Sequence, residues 1–413
     1  MKNRWTLAVL AMLLLASCTN DNTVDPQEDA STLIGLGVTN MAVTTNRRGL
    51  GTVGGMNYAT NVFRGERIYL LMTTVGQTPW GYTTSANAEG TSNIFGPGSW
   101  ATPMRSEDAS GWYLNYHEWS QQAKKYYPIH GRSDFFGFYV DDAGDPDMAK
   151  NYRMRGDSVT IPVAINGTQD LLAGKAVNVA TGASIGFSAK TARTENKRPS
   201  IYLKHLLTRL TFSVKNDAEP VVVAGKTYDM KLEYVKIINT PFRADMTVAY
   251  NEQTEGKNPL ELLEWDENHM GEFWLCDSVS GWYQGGKNKK LETLKSVAVP
   301  VNADSETGAY LNPEVGPQKV GEAMFVQPNQ DKHKMELKLT FPKKGEGETV
   351  VWETRVVRLD IICSSGKMEI GKSYNVNIIT HGLQEIEVDV MIQPWTDGGS
   401  QDIDVTGNIT PTN

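Results

Sequence analysis

Alternation of apolar and polar residues with a period of two runs through the second half of the chain. Met335, Leu337, Leu339 and Phe341 alternate with Lys334, Glu336, Lys338 and Thr340. Met230, Leu232, Tyr234 and Ile238 alternate with Lys231 and Glu233, with an apolar Val at 235. Leu210, Phe212 and Val214 are spaced by Thr211 and Ser213; Tyr374, Val376 and Ile378 by Asn375 and Asn377; Ile386, Val388 and Val390 by Glu387 and Asp389, with Ile392 continuing the series. Successive strand side chains point to opposite faces, so each pattern gives one face to a core and one to water, as an antiparallel sandwich requires. Before residue 200 the signal is sparser, and strands are expected at Ile68–Met72, Phe135–Val140, Ser158–Ile165 and Ile185–Ser188. Short helices are expected at Tyr113–Lys125 and Ile201–Leu207. The polar, basic stretch Ala189–Ser200, closing with Pro199, is the expected domain junction. The predicted fold is all-β, with two tandem antiparallel β-sandwiches over 31–195 and 196–413 and few short helices.

Composition narrows this further. At 413 residues the chain exceeds the ~250–300 that one compact domain holds, so two domains are expected. Its 38 Gly and 18 Pro supply the frequent turns that many short strands need. A net charge of -8 and a pI near 5.4 offer no basic face for nucleic acid. Three cysteines exclude a scaffold built on disulfides.

The N-terminus reads as an address and an anchor. Lys2 and Arg4 precede an apolar run from Leu7 to Ala16, too short to span a bilayer and suited to a signal peptide over 1–17. Leu15-Ala16-Ser17-Cys18 resembles a bacterial lipobox, which implies acylation of Cys18, including palmitate-type chains, and anchoring in the outer membrane. Residues 18–30, with Asp21, Asp25, Glu28 and Asp29, read as a disordered tether. Cys276 and Cys363 each adjoin an apolar run; two buried thiols or one disulfide both fit.

Motifs that would carry catalysis fail on context. Gly182-Ala183-Ser184-Ile185-Gly186 has the spacing of a nucleophile elbow, but the stretch after it is polar and carries Pro199, where the elbow needs an amphipathic helix. His117, His130, His205, His269, His333 and His381 include no pair at zinc-site spacing. The acidic stretch Asp141–Asp147 places Pro146 where a calcium loop needs Gly. Neither a cofactor nor an enzymatic activity is expected. Trp80, Trp100, Trp112 and Trp119, interleaved with Tyr82, Tyr113, Tyr116, Tyr126 and Tyr127, are either core or a platform for a glycan.

Several stretches together resemble the fimbrillin family, the type V pilins of Bacteroidetes. They are the lipobox at Cys18; the strand-like Leu33–Val43 followed by Arg47-Arg48; and Tyr126-Tyr127-Pro128 leading to Asp134-Phe135-Phe136-Gly137-Phe138-Tyr139, with Gly137 in place of the family's small Ala. They continue with Gln169-Asp170-Leu171-Leu172-Ala173, with His205 in KHLLTRLTFSV, and with Gly371, Tyr374, Ile386–Ile392 and Trp395 near the end. The resemblance implies two transthyretin-like sandwiches and a subunit of an adhesive pilus, exposed on the cell surface. It implies cleavage after Arg47 or Arg48 by an Arg-specific protease and removal of a strand within 31–48. It also implies polymerisation with other pilin subunits by donor-strand exchange. The donor would come from 385–409, with Ile386, Val388, Val390, Ile392, Ile403, Val405 and Ile409 as apolar plugs. An alternative within the same fold is a surface lipoprotein or tip adhesin that binds a glycan or protein ligand of a host or bacterial surface through the aromatic-rich N-terminal domain.

Overall fold

In the computed structural model the chain folds almost wholly as strands, numbered here in chain order. Among the described residues there is one helix, α1 (Ala189–Thr194). The structure describes residues 32–39, 56–57, 62–63, 67–75, 95, 98–105, 112–115, 125–128, 131–140, 151–155, 158–178, 186–194, 199–218, 221–250, 262–280, 290–299, 317–364, 366–382 and 386–393. The all-β expectation holds.

The N-terminal sandwich is closed at both edges. One layer holds β4 (Ile68–Thr74), β7 (Ser133–Val140) and β10 (Leu171–Asn178). The facing layer holds β11 (Pro199–Tyr202), β1 (Gly37–Thr39) and β6 (Trp112–Asn115). Two strands belong to both layers. β10 pairs with β7 through Leu171–Lys175 and with β11 through Ala176–Asn178. β5 (Trp100–Arg105) pairs with β4 through Trp100–Ala101 and with β6 through Thr102–Arg105. Strands that switch sheets make the corners of such a sandwich. Pairing thus runs from β4 through β7, β10, β11, β1, β6 and β5 back to β4. β2 (Met56–Asn57) and β3 (Val62–Phe63) extend from β5, and β12 (Lys204–His205) pairs with the start of β10.

The β4–β7–β10 layer is covered on both faces. All eight residues of β7, SDFFGFYV, are buried. Phe135 and Tyr139 face the first core, while Phe136, Phe138 and Val140 face a second. A nearly unbroken apolar run is what a doubly covered strand carries. The second cover is a sheet of β8 (Arg153–Arg155), β9 (Ser158–Ala164), β17 (Arg243–Tyr250) and β18 (Leu263–Trp265). Its Tyr250 meets Phe136 edge-on at 5.1 Å.

The C-terminal sandwich shares that second core. One sheet is β23 (Gln318–Val326), β13 (Thr208–Asn216), β26 (Ser373–Thr380) and β27 (Ile386–Gln393), with β13 and β26 parallel. The other is β19 (Met270–Trp274), β16 (Met230–Pro241), β24 (Lys332–Lys344) and β25 (Val350–Ile362), with β22 (Val297–Val299) also on β16. Two hairpins flank it, β14 (Val221–Val223) with β15 (Lys226–Tyr228), and β20 (Cys276–Ser280) with β21 (Lys290–Thr293). The first turns on Ala224 and Gly225, both at positive φ, as a tight two-residue hairpin demands. Cys276 and Cys363 are buried and not bridged.

Some expectations are corrected. Ile201–Leu207 is not a helix. Ile201 pairs with Ala176 on one side and Val38 on the other, and sheet pairing outweighs a weak local preference. In Tyr113–Lys125 the first residues are strand β6, and 116–124 lie outside the described residues. Of Ile185–Ser188, Phe187 makes a single bridge to Ser133. The helix falls inside Ala189–Ser200 instead. Ser188 Oγ accepts from Thr191 N while Thr191 Oγ1 accepts from Ser188 N at 2.9 Å, a reciprocal cap. β11 and β12, beyond residue 195, pair within the N-terminal sandwich, and β9 pairs with β17, so hydrogen bonding crosses that position.

Candidate functional site

The segment Thr32–Thr39 supplies the strand that completes the N-terminal ring. β1 runs parallel to β11, with Gly37 opposite Ser200 and Val38 opposite Ile201. It runs antiparallel to β6, with Gly37 opposite Tyr113 and Val38 opposite Trp112. Upstream, Ile34 N donates to Lys125 O at 2.9 Å and Tyr127 N donates to Thr32 O at 3.0 Å. Leu114 N donates to Leu36 O at 2.9 Å. Both edges of the segment are therefore held by backbone bonds.

Its side chains alternate strictly. Ile34, Leu36 and Val38 are 1%, 2% and 1% exposed, and Leu33 lies on the outside. The two glycines that interrupt the apolar run, Gly35 and Gly37, fall on the outer face. At Gly37 a Cβ would stand 3.0 Å from Ser200 Oγ, so the close parallel approach to β11 favours Gly there. The three inward side chains pack with Ile68, Leu70, Leu114, Phe135, Leu172 and Ile201. Phe135 is the hub, with ring centroids of Phe95, Tyr127 and Phe187 at 6.2, 6.0 and 6.2 Å. Full burial of one such aliphatic side chain contributes roughly 1.5–3 kcal/mol.

Tyr127 and Phe135, both from the motif that runs from Tyr126 to Tyr139, line this core directly. At Gly137 an added Cβ would press on Ile201 Cγ2 at 3.0 Å, which accounts for Gly where the family pattern has Ala. Asp170 and His205, from two further motifs, meet at 2.8 Å between Oδ2 and Nδ1 and tie the residue just before β10 to β12. Asp134 and Lys175 form a buried ion pair at 3.2 Å between β7 and β10. Neither contact involves β1.

Other expected site residues lie elsewhere. Cys18, Arg47, Arg48, Ile403, Val405 and Ile409 fall outside the described residues, as do Val43 and Ser184. Ile386, Val388 and Val390 sit on β27, which pairs with β26 along its whole length, and they pack on their own C-terminal core. Ile392 is exposed. Among the aromatics, Tyr127 is buried and Trp100 packs against the core under the Arg67 guanidinium, 4.3 Å above its ring. Tyr113 and Tyr126 are exposed beside β1. Trp80, Tyr82, Tyr116 and Trp119 lie outside the described residues. Among the described residues no cluster of His, Cys, Asp and Glu is placed to hold a metal ion.

The model of the Fimbrillin-like family matches residues 101–395, well over half of the chain. The chain belongs to the fimbrillin-like family. Among solved structures, a fimbrial protein from Bacteroides vulgatus is similar at 12% identity and a TM-score of 0.46, covering 88% of this chain and 99% of that one. The tip fimbrial protein Mfa3 from Porphyromonas gingivalis, truncated at its C-terminus, is similar at 11% identity and a TM-score of 0.33, covering 88% and 99%. No curated protein matches. The assignment rests on the family match.

Proposed function

We propose that this chain is a structural subunit of a fimbrillin-type adhesive pilus, built to lose β1 and to have its place taken by a strand of a neighbouring subunit. The observation that carries this reading is the position of β1 as the strand between β11 and β6 that closes the ring. Without it, two strand edges present unpaired N–H and C=O groups, and the space of Ile34, Leu36 and Val38 lies open to water. An incoming strand with alternating apolar residues satisfies both needs at once.

The lipobox and the resemblance to the fimbrillin family support the rest of the proposed maturation. Export runs through a lipoprotein acylated at Cys18, anchored in the outer membrane and facing outward. Arg47 and Arg48 lie between β1 and β2, so cleavage after either by an Arg-specific protease detaches β1 as a separate peptide. The donor comes from 385–409 of the next subunit. Because Ile386, Val388 and Val390 serve their own core, the part that leaves lies beyond Gln393. In an extended donor Ile403 and Val405 would repeat the spacing of Ile34 and Leu36, with Gly407 at the position of Val38 and Ile409 on the same face beyond it. Each subunit then gives at one end and receives at the other, which builds an open filament.

Two variants test this. Arg47→Ala with Arg48→Ala should give precursor at the surface and no polymer. Deleting 400–413 should give folded, cleaved monomer. Detergent-resistant ladders from both would overturn the reading.

A further inference from the structure

Among the described residues, β25 is the last hydrogen-bonded strand of the β19–β16–β24–β25 sheet, with β27 of the facing sheet close beside it. β25 pairs with β24 from Val350↔Lys344 to Ile362↔Lys332, and among the described residues no strand is bonded to its other side. Exposed strand edges are usually blunted by short length, proline or scattered lysines. β25 has thirteen residues and neither Pro nor Lys. Its first half is also the more exposed, with Val351 at 52%, Trp352 at 40% and Val356 at 54%.

The order of residues there is self-complementary. Glu353 and Arg355 share a face and bond to each other at 2.9 Å. In an antiparallel pair of two identical strands, residues opposite each other have a constant sum of numbers, and they share a face. Centring the pair on Thr354 sets Glu353 opposite the second copy's Arg355, and Arg355 opposite its Glu353. The four charges then alternate in sign. The same register sets Trp352 opposite Val356 and Val351 opposite Val357, apolar on apolar on each face. Centring on residue 353 or 355 instead stacks Glu353 on Glu353 or Arg355 on Arg355, and centring on 356 sets Glu353 against Leu359 and Trp352 against Asp360. Among these neighbouring registers, only the one on Thr354 satisfies charge and apolar contact together.

We infer that β25 is a docking edge for a second copy of this chain, joined antiparallel about Thr354 so that two five-stranded sheets become one continuous sheet. The contact is two-fold and self-complementary, so it closes at two copies. It lies on the C-terminal sandwich, away from β1, and makes a lateral contact distinct from head-to-tail assembly.

The test uses the full chain in detergent, uncleaved, so that strand exchange at β1 plays no part. Sedimentation at up to about 0.3 mM, a range that populates weak interfaces, should show a monomer–dimer equilibrium. Glu353→Arg alone and Arg355→Glu alone each set like charges opposite one another, and each should weaken the dimer at least about tenfold. Combining the two substitutions restores opposite charges and should return the dimer constant to within about threefold of the starting chain. The pair is exposed, so thermal unfolding should change little in any of the three variants. On mild oxidation Thr354→Cys should link two copies, since opposite Cα atoms lie within disulfide reach, while Arg358→Cys, opposite Val350, should not. A monomer at every concentration, equal effects of the single and combined reversals, or no link through Thr354→Cys would overturn the proposal.

Discussion

Leu36→Ala is the sharpest probe of how β1 is held. Leu36 is buried in the N-terminal core, and its carbonyl accepts the Leu114 N–H. Truncating a buried leucine costs about 2–5 kcal/mol, the higher values where the surroundings cannot collapse into the gap. The walls here are Leu114, Phe135 and Ile201 on paired strands, which leaves little room to collapse, so ~3 kcal/mol is expected. If the loss falls on β1 alone, its opening equilibrium rises about a hundredfold. Native-state hydrogen exchange on the uncleaved chain reads this directly. The amides of Ile34, Leu114 and Tyr127 bond across the β1 edges and should exchange about a hundredfold faster. Amides between β13 and β26 should keep their rates. Equal acceleration of both groups would mean that β1 opens only with the whole molecule, and no change would mean that Leu36 does not hold it; either refutes a separately releasable strand.

Three further outcomes follow from the packing. Gly174→Ala should destabilise the N-terminal sandwich by more than about 3 kcal/mol in chemical denaturation, because its Cβ would lie 1.8 Å from the Tyr202 carbonyl oxygen. Val390→Asp should lower the monomer's own stability by about 3 kcal/mol or more, since Val390 is core in its own subunit; a normal melting curve would show that β27 is dispensable at home. Burial pushes the His333 imidazole down to about 4 from 6.5, so the unfolded chain binds its proton more readily, and stability present above pH 6.5 is lost as pH falls towards 4. His333→Gln should flatten that arm. Below it, Glu336, held down to about 2 by Arg358 and Lys236, should lose its contribution between pH 4.5 and 2.

The strands most legible in the sequence were β13, β16, β24, β26 and β27, where one face meets a core and the other is largely polar, so period two is visible. β7 was also legible, as a continuous apolar run. The partners of β1 were not. Its parallel neighbour β11 lies far along the chain, and that pairing leaves no local pattern. Ile201–Leu207 looked helical because its apolar spacing is ambiguous over so short a run; pairing with β1 and β10 decided it. Gly35 and Gly37 looked like breaks in an apolar strand, yet they occupy its outer face, and the requirement at Gly37 comes from Ser200. Ile386, Val388 and Val390 alternate as a donor strand would, but alternation is equally what a home strand shows, and only the pairing with β26 separates the two.

The central claim is that β1 is absent from the assembled subunit. Filaments sheared from the cell surface, dissociated and analysed by N-terminal sequencing and peptide mass mapping, test it most directly. The account predicts subunits that begin at Arg48 or Gly49, with no peptide covering Leu33–Val43 and no acylated Cys18. Filament subunits that retain Leu33–Val43 would contradict it.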